Sequence, residues 1–322
     1  MKIVIPGGSG QVGTILARAF CCGRHEVVVL SRTPRREPWR VVAWDGQTLG
    51  DWAAEIDGAD VVINLAGRSV NCRYNAGNRR EILDSRVLST RAVGAAIASA
   101  RRPPRVWLQA STATIYAHRY DAGNDETSGL LGGGEADVPD TWRFSIEVAQ
   151  AWERALDDAA TPATRKVKLR SAMTMSPDAG GVFSALLGLV CCGLGGSVGD
   201  GRQFVSWIHE EDFVRAIRWL IDHEEFDGAV NLAAPNPLPY AEFMRSLRAA
   251  WGMRLGLPAT RWMVEIGTRL LGTESELVLK SRRVVPGRLI ASGFEFRHPA
   301  WLEAARELCQ RYRSNRGAAA AD

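Results

Sequence analysis

Short, continuous apolar runs alternate with longer stretches of helical periodicity through the first half of the chain. A run that is apolar at nearly every position and is bounded by loops is typical of a strand covered on both faces, as in a parallel sheet between helix layers. The runs lie at residues 2–5, 26–30, 40–44, 60–65, 105–110 and 166–170, and helix-like segments lie at 11–22, 78–100 and 143–159. The pattern predicts an α/β fold with a doubly wound parallel sheet.

The rhythm changes after about residue 171, where segments rich in Gly and Pro separate isolated helices. This change predicts a smaller C-terminal lobe of α+β type. The helix at 210–225 has its apolar residues at helical spacing, and we expect it to return to the main sheet. The expected boundaries are 1–170 for the first domain with 203–232 returning to it, 171–202 and 233–313 for the lobe, and 314–322 for a flexible tail.

Composition narrows the partners of this 322-residue chain. Lys and Arg number 40 against 36 for Asp and Glu, a margin too small to indicate binding to nucleic acid or an acidic membrane. No stretch approaches the roughly 20 apolar residues of a membrane span, so we expect a cytoplasmic location. The six cysteines lack Cys-x-x-Cys spacing, and no metal or redox site is predicted. Nucleic acid and membranes are therefore not expected partners; a small-molecule substrate is expected from the motifs that follow.

Three glycines follow the first predicted strand directly and open the first predicted helix. Gly7, Gly10 and Gly13 have the spacing G-x-x-G-x-x-G. Glycine permits a tight turn and a close approach of backbone to a pyrophosphate, while the N-terminus of a helix offers N–H donors to phosphate. The combination of strand, glycine loop and helix predicts a Rossmann domain that binds NAD(P).

The end of the second strand indicates which dinucleotide is bound. An NAD site usually carries a carboxylate there for the ribose hydroxyls, but this chain has Arg32, with Arg35 and Arg36 close behind. An arginine fork suits a 2′-phosphate. NADP(H) is therefore favoured over NAD(H), although a solvated basic loop also accounts for Arg35 and Arg36.

The motifs resemble the extended short-chain dehydrogenase/reductase superfamily, which shares the glycine spacing. The segment INLAG (63–67) is similar to its fourth-strand motif, and ASTATIYA (110–117) is similar to the fifth strand of UDP-galactose 4-epimerase. The C-terminal half resembles a group of epimerase-family proteins with its own C-terminal domain, through GLGGSVGDGRQFVSWIHEEDFVRAI and LVLKSRRVVPGRLIASGFEFRHP. The likeness covers nearly the whole chain.

The resemblance implies a set of cofactor contacts. Asp45 is expected near the adenine, and Thr112 matches a residue that hydrogen-bonds substrate in active members. The full set of expected cofactor residues is Gly7, Gly10, Gln11, Val12, Gly13, Ser31, Arg32, Asp45, Leu65, Ala66 and Gly67.

The helix at 143–159 departs from the family pattern. Typical members carry a Tyr that transfers a proton and, four residues later, a Lys that lowers its pKa and holds the nicotinamide ribose. Counting back from Glu153, these positions fall at Ser145 and Ala149, and the segment TWRFSIEVAQAWERA contains neither Tyr nor Lys. A serine hydroxyl is a poor acid near neutral pH and alanine carries no charge, so the usual proton transfer is in doubt.

Other residues are candidates for the missing chemistry. Tyr116 and His209 are the candidate proton donors beside Thr112, with structural roles as the alternatives, since SWIHEED also reads as a turn into a helix. Arg202 and Gln203 lie in a glycine-containing loop that would hold a polar substrate, or else form a charged surface turn.

The sequence leaves two main functions open. The first is an NADP(H)-dependent oxidoreductase or sugar-nucleotide epimerase of unknown substrate, and the second is a non-catalytic protein that responds to NADP(H). A third hypothesis is a structural scaffold that has lost its affinity for nucleotide, and the intact glycine loop argues against it. We expect a monomer or a homodimer, and the resemblance implies pairing through the helices at 78–100 and 143–159.

Overall fold

The computed structural model describes residues 1–135, 138–260, 263 and 274–319. The chain divides into two compact units. Unit 1 comprises Met1–Ile115, Arg143–Ser171 and Val214–Val230, and unit 2 comprises Tyr116–Trp142, Ala172–Phe213 and Asn231–Asp322.

A seven-stranded sheet forms the centre of the α/β fold. The strands of the described chain are β1 (Lys2–Pro6), β2 (Glu26–Ser31), β3 (Arg40–Ala43), β4 (Val61–Asn64), β5 (Val106–Thr112), β6 (Arg165–Ser171), β7 (Met173–Met175), β8 (Phe204–Val205), β9 (Trp207–His209), β10 (Gly228–Leu232) and β11 (Leu238–Pro239). The sheet has the order β10-β6-β5-β4-β1-β2-β3, and the pairs from β6 to β3 are all parallel.

Helices flank the sheet and fill much of unit 2. They are α1 (Gln11–Cys22), α2 (Ala76–Ser99), α3 (Asp140–Asp157), α4 (Val182–Cys191), α5 (Glu210–Asp222), α6 (Tyr240–Trp251), α7 (Glu276–Leu279), α8 (Gly287–Ala291) and α9 (Trp301–Ala319), with short 3-10 helices at Asp51–Glu55 and Ala113–Ile115. Among the described helices, none is long and apolar enough to cross a membrane.

The predicted parallel sheet is confirmed, and burial explains the sequence pattern. Every residue of β4 is buried, as are all but the first residue of β1 and of β2. Strands covered on both faces have no exposed side, so their sequences are apolar throughout instead of alternating. The predicted helices at 11–22, 78–100 and 143–159 correspond to α1, α2 and α3 within three residues.

Unit 2 has its own apolar core. The Trp301 ring stacks on Phe243 with centroids 4.1 Å apart and lies 4.9 Å from Trp207. The indole Nε1 of Trp301 donates to the Phe243 carbonyl at 2.9 Å, so this buried ring is also hydrogen-bonded. Two short sheets, β7 with β9 and β8 with β11, complete the unit.

The two units differ from the predicted division at several places. Residues 116–142 and 203–213 pack in unit 2, whereas the sequence placed them in the first domain. The backbone of Asn124 explains the first difference, because it donates to the Arg283 carbonyl and accepts from the Val285 N–H. Residues 314–319, expected in a flexible tail, continue α9, and 320–322 lie outside the described residues.

Candidate functional site

The glycine loop after β1 is closed tightly against the segment that follows β4. Gly7 has φ of +73°, a conformation that favours glycine, and a Cβ there would lie 2.5 Å from the Ala66 Cα. A Cβ on Gly13 would lie 2.4 Å from the Gly8 Cα. Only hydrogen fits at either position, so Gly7 and Gly13 set the shape of the loop.

Gly10 differs from these two glycines because the space beside it is open. It is the N-cap residue of α1, and a Cβ there would meet nothing closer than the Gly7 carbonyl oxygen at 4.0 Å. Gly10 has no side chain that could cap α1, and the first turn of the helix contains no acidic residue. The N–H groups at the start of this helix are therefore suited to an anionic ligand, as a pyrophosphate site requires.

A cleft of about 280 Å³ opens over this loop. It is lined by Gly7, Ser9, Gly10, Ser31, Arg32, Trp44, Asp45, Gly46, Gln47, Leu65, Ala66, Gly67, Arg68 and Ser85. Eight of the eleven residues expected to contact a cofactor are in this set; Gln11, Val12 and Gly13 of α1 are not. The structure thus brings most of the predicted cofactor residues to one place, while their contact with a cofactor stays a prediction.

Arginines line this end of unit 1. Arg32 follows β2 and also borders an adjoining cleft of about 240 Å³, whose lining includes Arg35 and one carboxylate, Glu37. The last residue of β2 is Ser31, whose hydroxyl donates to the Thr33 carbonyl at 3.2 Å. The strand therefore ends without a carboxylate, and exposed guanidinium groups follow it.

Asp45 presents a stable negative charge at the rim of the cleft. Its carboxylate accepts the N–H groups of Gln47 at 2.8 Å and Thr48 at 2.9 Å, as well as the Thr48 hydroxyl. The hydrogen bonds from Thr48 hold the pKa of Asp45 below its usual range. This carboxylate stays ionised at neutral pH and can accept a hydrogen bond from a ligand.

Helix α3 is anchored to the sheet by one buried ion pair. Glu153 accepts two hydrogen bonds from Arg170 of β6, both at 2.8 Å, and one from the Ser111 hydroxyl of β5 at 2.7 Å. Ala149, one turn earlier, is fully buried, and Ser145 is partly buried. The positions that would hold the Lys and Tyr thus belong to a helix fixed against β5 and β6.

Thr112 ends β5 in the same unit. Its Oγ1 accepts the N–H of Thr114 at 3.1 Å, a local bond that closes the turn into the 3-10 helix. This bond leaves the hydroxyl hydrogen available as a donor, and the substrate contact implied by the resemblance stays a prediction.

The two candidate proton donors lie in unit 2 and are engaged within it. The Tyr116 hydroxyl is buried and donates to the Asn231 side-chain oxygen at 2.9 Å. His209 is 0% exposed; its Nε2 lies 2.9 Å from Glu307 and its Nδ1 accepts the Glu211 N–H at 3.1 Å. Burial lowers the pKa of His209. These contacts favour the structural interpretations, and the catalytic roles stay predictions.

His209 also belongs to a group of potential metal ligands. One ligand atom each from His209, Glu211 and His298 lie within 4.8 Å of one another. The two imidazoles stack with centroids 3.7 Å apart, and His298 Nε2 lies 3.0 Å from Glu211. Arg297 pairs with the same Glu211 carboxylate, so hydrogen bonds and a cation already engage these groups.

The two residues expected to hold substrate have different environments in unit 2. Gln203 is buried, and its amide donates to the carbonyls of Val198 at 3.2 Å and Val278 at 3.3 Å. Arg202 is exposed and lies 5.9 Å from the Tyr120 ring centroid. The structure therefore places one of the pair in the core and one at the surface.

The cleft includes residues that the sequence did not indicate as cofactor contacts. Ser9 and Arg68 lie next to recognisable motifs, so their positions in the sequence could have indicated them. Trp44 follows β3, and Ser85 lies in the middle of α2, where nothing local distinguishes it. Only tertiary packing brings such side chains to the glycine loop.

Two segments of the chain match known protein families and show its class. Residues 3–131 match the NAD dependent epimerase/dehydratase family, and residues 259–308 match a domain of unknown function, DUF1731. The parallel sheet, the glycine loop and this match define a Rossmann-type protein of the epimerase/dehydratase class.

A relative that aligns with almost the whole chain shows the particular family. The human epimerase family protein SDR39U1 is 30% identical over 314 residues, which cover 96% of this chain and 99% of the human protein. This chain belongs to the epimerase family that includes SDR39U1.

Two solved structures are similar to the chain. The crystal structure of human SDR39U1 (isoform 2) with NADPH has a TM-score of 0.83 and 28% identity, covering 96% of this chain and 99% of the human one. The nucleoside-diphosphate sugar epimerase of Corynebacterium glutamicum has a TM-score of 0.74 and 28% identity, covering 96% of this chain and 58% of that one.

Proposed function

We propose that this protein binds NADP(H) in the cleft of unit 1 and acts as an oxidoreductase or sugar-nucleotide epimerase on a small molecule. The observation that carries the proposal is the cleft itself, which is lined both by Gly10, with open space beside it, and by Arg32, which follows β2. The human relative solved with NADPH supports the same ligand.

Each part of the cleft has a role in this proposal. The start of α1 holds the pyrophosphate, and Gly10 lets it approach the backbone. Asp45 accepts a hydrogen bond from the adenosine half, and Leu65 to Gly67 form the floor beneath the dinucleotide. When bound, NADP(H) supplies hydride transfer. The chain contributes orientation and charge complementarity.

The choice of NADP(H) over NAD(H) rests on charge at the end of β2. A carboxylate there would repel a 2′-phosphate, whereas Arg32 and Arg35 attract it and form charge-assisted hydrogen bonds with it. Glu37 also borders the adjoining cleft, but its single negative charge is exceeded by the two positive charges of Arg32 and Arg35.

Arg32→Ala tests this assignment directly. We expect the affinity for NADPH to fall by about 10-fold or more, because a charge-assisted bond to phosphate is lost. The affinity for NADH should stay within about twofold, since it lacks the 2′-phosphate. Arg36→Ala is the matched control, because Arg36 is also exposed but lines neither cleft. Equal NADPH affinity in Arg32→Ala and the wild-type protein would contradict the assignment.

A second candidate is a non-catalytic protein that responds to NADP(H). The observation that favours it is α3, where the buried Ala149 and the partly buried Ser145 stand in place of the usual Lys and Tyr. Oxidation of NADPH in the presence of a panel of carbonyl compounds and sugar nucleotides supports the enzyme. A binding partner retained only with NADPH, and no turnover, supports the sensor. In either case we propose a cytoplasmic monomer or homodimer.

A further inference from the structure

Helix α4 of unit 2 is apolar on its outer side as well as on the side that packs into the core. The buried residues of its inner side are Phe183, Leu187 and Val190. The exposed residues of its outer side, up to the C-cap, are Ala185, Gly188, Leu189 and Cys192. A surface helix normally covers its outer side with polar residues. Residues 179–199 contain no charged side chain, so α4 presents an apolar surface instead.

Two loops extend the apolar surface of α4. Leu194 follows the helix, and its N–H donates to the Leu189 carbonyl at 2.8 Å. The loop after α6 lies against this turn, because the Leu257 N–H donates to the Gly193 carbonyl at 2.8 Å. A Cβ added to Gly193 would lie 3.4 Å from the Leu255 side chain. Leu189, Leu194, Leu255 and Leu257 are between 39% and 57% exposed, and these four form the leucine patch.

Arginines border the leucine patch on the side of α6 and α9. Arg254 belongs to the loop after α6, and the guanidinium group of Arg248 donates to the Gly195 carbonyl in the loop after α4. Arg313 of α9 donates to the Trp251 carbonyl at 2.8 Å, and its Cζ lies 4.1 Å from the centroid of the Trp251 ring. These contacts bring cations from two helices and a loop to the edge of one apolar surface.

The segments that meet at this edge carry charge of one sign. Residues 243–260 contain three Arg and no Asp or Glu, and residues 308–319 contain another three Arg and no Asp or Glu. One of the six, Arg311, pairs with Glu210 and Glu307. The whole chain has only 40 basic against 36 acidic residues, so its composition does not indicate this local excess. An exposed apolar patch bordered by cations matches a partner that is both anionic and apolar.

We propose that this face of unit 2 binds the anionic phospholipid surface of a membrane. The leucine patch enters the boundary of the acyl chains, while Arg254 and Arg313 contact headgroup phosphates and Trp251 lies at the level of the headgroups. A nucleic acid would engage the arginines but leave the leucines in water. A lipid layer offers negative charge and hydrocarbon within a few ångströms of each other, so it matches both parts of the face.

Flotation of the intact chain with lipid vesicles tests this proposal. One vesicle contains phosphatidylcholine alone, and the other contains phosphatidylcholine with about 30% phosphatidylglycerol. We expect the chain to bind the anionic vesicle at least about 10-fold more tightly than the neutral one at low salt. Binding should weaken as the salt concentration rises, because salt screens the attraction between arginines and phosphates.

Two variants separate the apolar and the charged contributions. In the double variant Leu255→Ser and Leu257→Ser, we expect the affinity for anionic vesicles to fall by about 10-fold or more, because two side chains leave the hydrocarbon. In Arg254→Gln we expect a fall of about fivefold. Both variants should keep the wild-type affinity for NADPH, because its proposed cleft lies in unit 1, and a Tm within roughly 3 °C of the wild-type value.

Leu49→Ser is the matched control for the loss of leucine. Leu49 is 52% exposed, as Leu257 is, but it belongs to unit 1. Its replacement should leave the affinity for anionic vesicles within about twofold of the wild-type value. An equal loss in Leu49→Ser and in the double variant would mean that the leucine patch is not the binding surface.

The remaining outcomes also overturn the proposal. A wild-type chain that floats with neither vesicle does not bind lipid through this face. Binding that persists in the double variant, together with retention of a DNA duplex, means that the arginines attract polyanions in general. A dimer that the double variant converts to a monomer in sedimentation, without flotation, assigns the leucine patch to a second copy of the chain. The proposed NADP(H) function stands or falls separately, since NADPH affinity is measured on each variant without vesicles.

Discussion

Gly7→Ala should lower the free energy of unfolding by about 2 to 5 kcal/mol and abolish NADPH binding. Gly7 adopts φ of +73°, which strains any residue with a Cβ. The added carbon would also lie 2.5 Å from the Ala66 Cα, so the loop or the segment after β4 must move. Urea denaturation gives the loss of stability, and calorimetric titration gives the loss of affinity.

Gly10→Ala separates the loss of binding from the loss of stability. Gly10 has φ of −80°, which alanine adopts readily, and its Cβ would meet only one atom, at 4.0 Å. We expect stability within about 1 kcal/mol of the wild-type value. NADPH should bind at least about 10-fold more weakly, because the methyl group would enter the space that we propose for the pyrophosphate. A Gly7→Ala protein as stable as Gly10→Ala would contradict the close contact with Ala66.

Glu153→Leu should cost about 3 to 5 kcal/mol of unfolding free energy. The change removes the bidentate acceptor of Arg170 and the acceptor of the Ser111 hydroxyl, in a site where both charged side chains are at least nine-tenths buried. A buried guanidinium that loses its carboxylate bears a large desolvation penalty. Chemical denaturation measures the effect.

Asp157→Asn is the control, because it joins the same two elements at the surface. Asp157 of α3 pairs with Lys168 of β6 at 2.7 Å, and its side chain is 55% exposed. An exposed ion pair contributes about 0 to 1 kcal/mol, so we expect a change in that range. Similar losses in Glu153→Leu and Asp157→Asn would contradict the anchoring role assigned to Glu153.

The strands of unit 1 could be predicted because the burial of each strand determines the pattern of apolar residues within that strand. β1, β2 and β4 are covered on both faces, and burial on both faces produces apolar runs that need no knowledge of the partner strands. The glycine loop was equally accessible, since Gly7 and Gly13 are required by contacts with the segments at residues 8 and 66. Features of this kind leave a pattern within a short stretch of sequence and can therefore be predicted from it.

Features that depend on distant segments could not be predicted in the same way. The backbone hydrogen bonds of Asn124 with Arg283 and Val285 join segments about 160 residues apart, and the sequence of neither segment indicates which segment it pairs with. Arg86 lies in the first half of α2, which is mostly polar, and its position beside Gly67 depends on how α2 packs. The engagement of Gln203 in the core of unit 2 is of the same kind.

Calorimetric titration of the wild-type protein with NADPH and NADH, in the same buffer, tests NADP(H) binding most directly. Arg32, Arg35 and the open side of Gly10 predict saturable binding of NADPH with one site per chain, at least about 10-fold tighter than NADH. No binding of either nucleotide, or tighter binding of NADH, would contradict it.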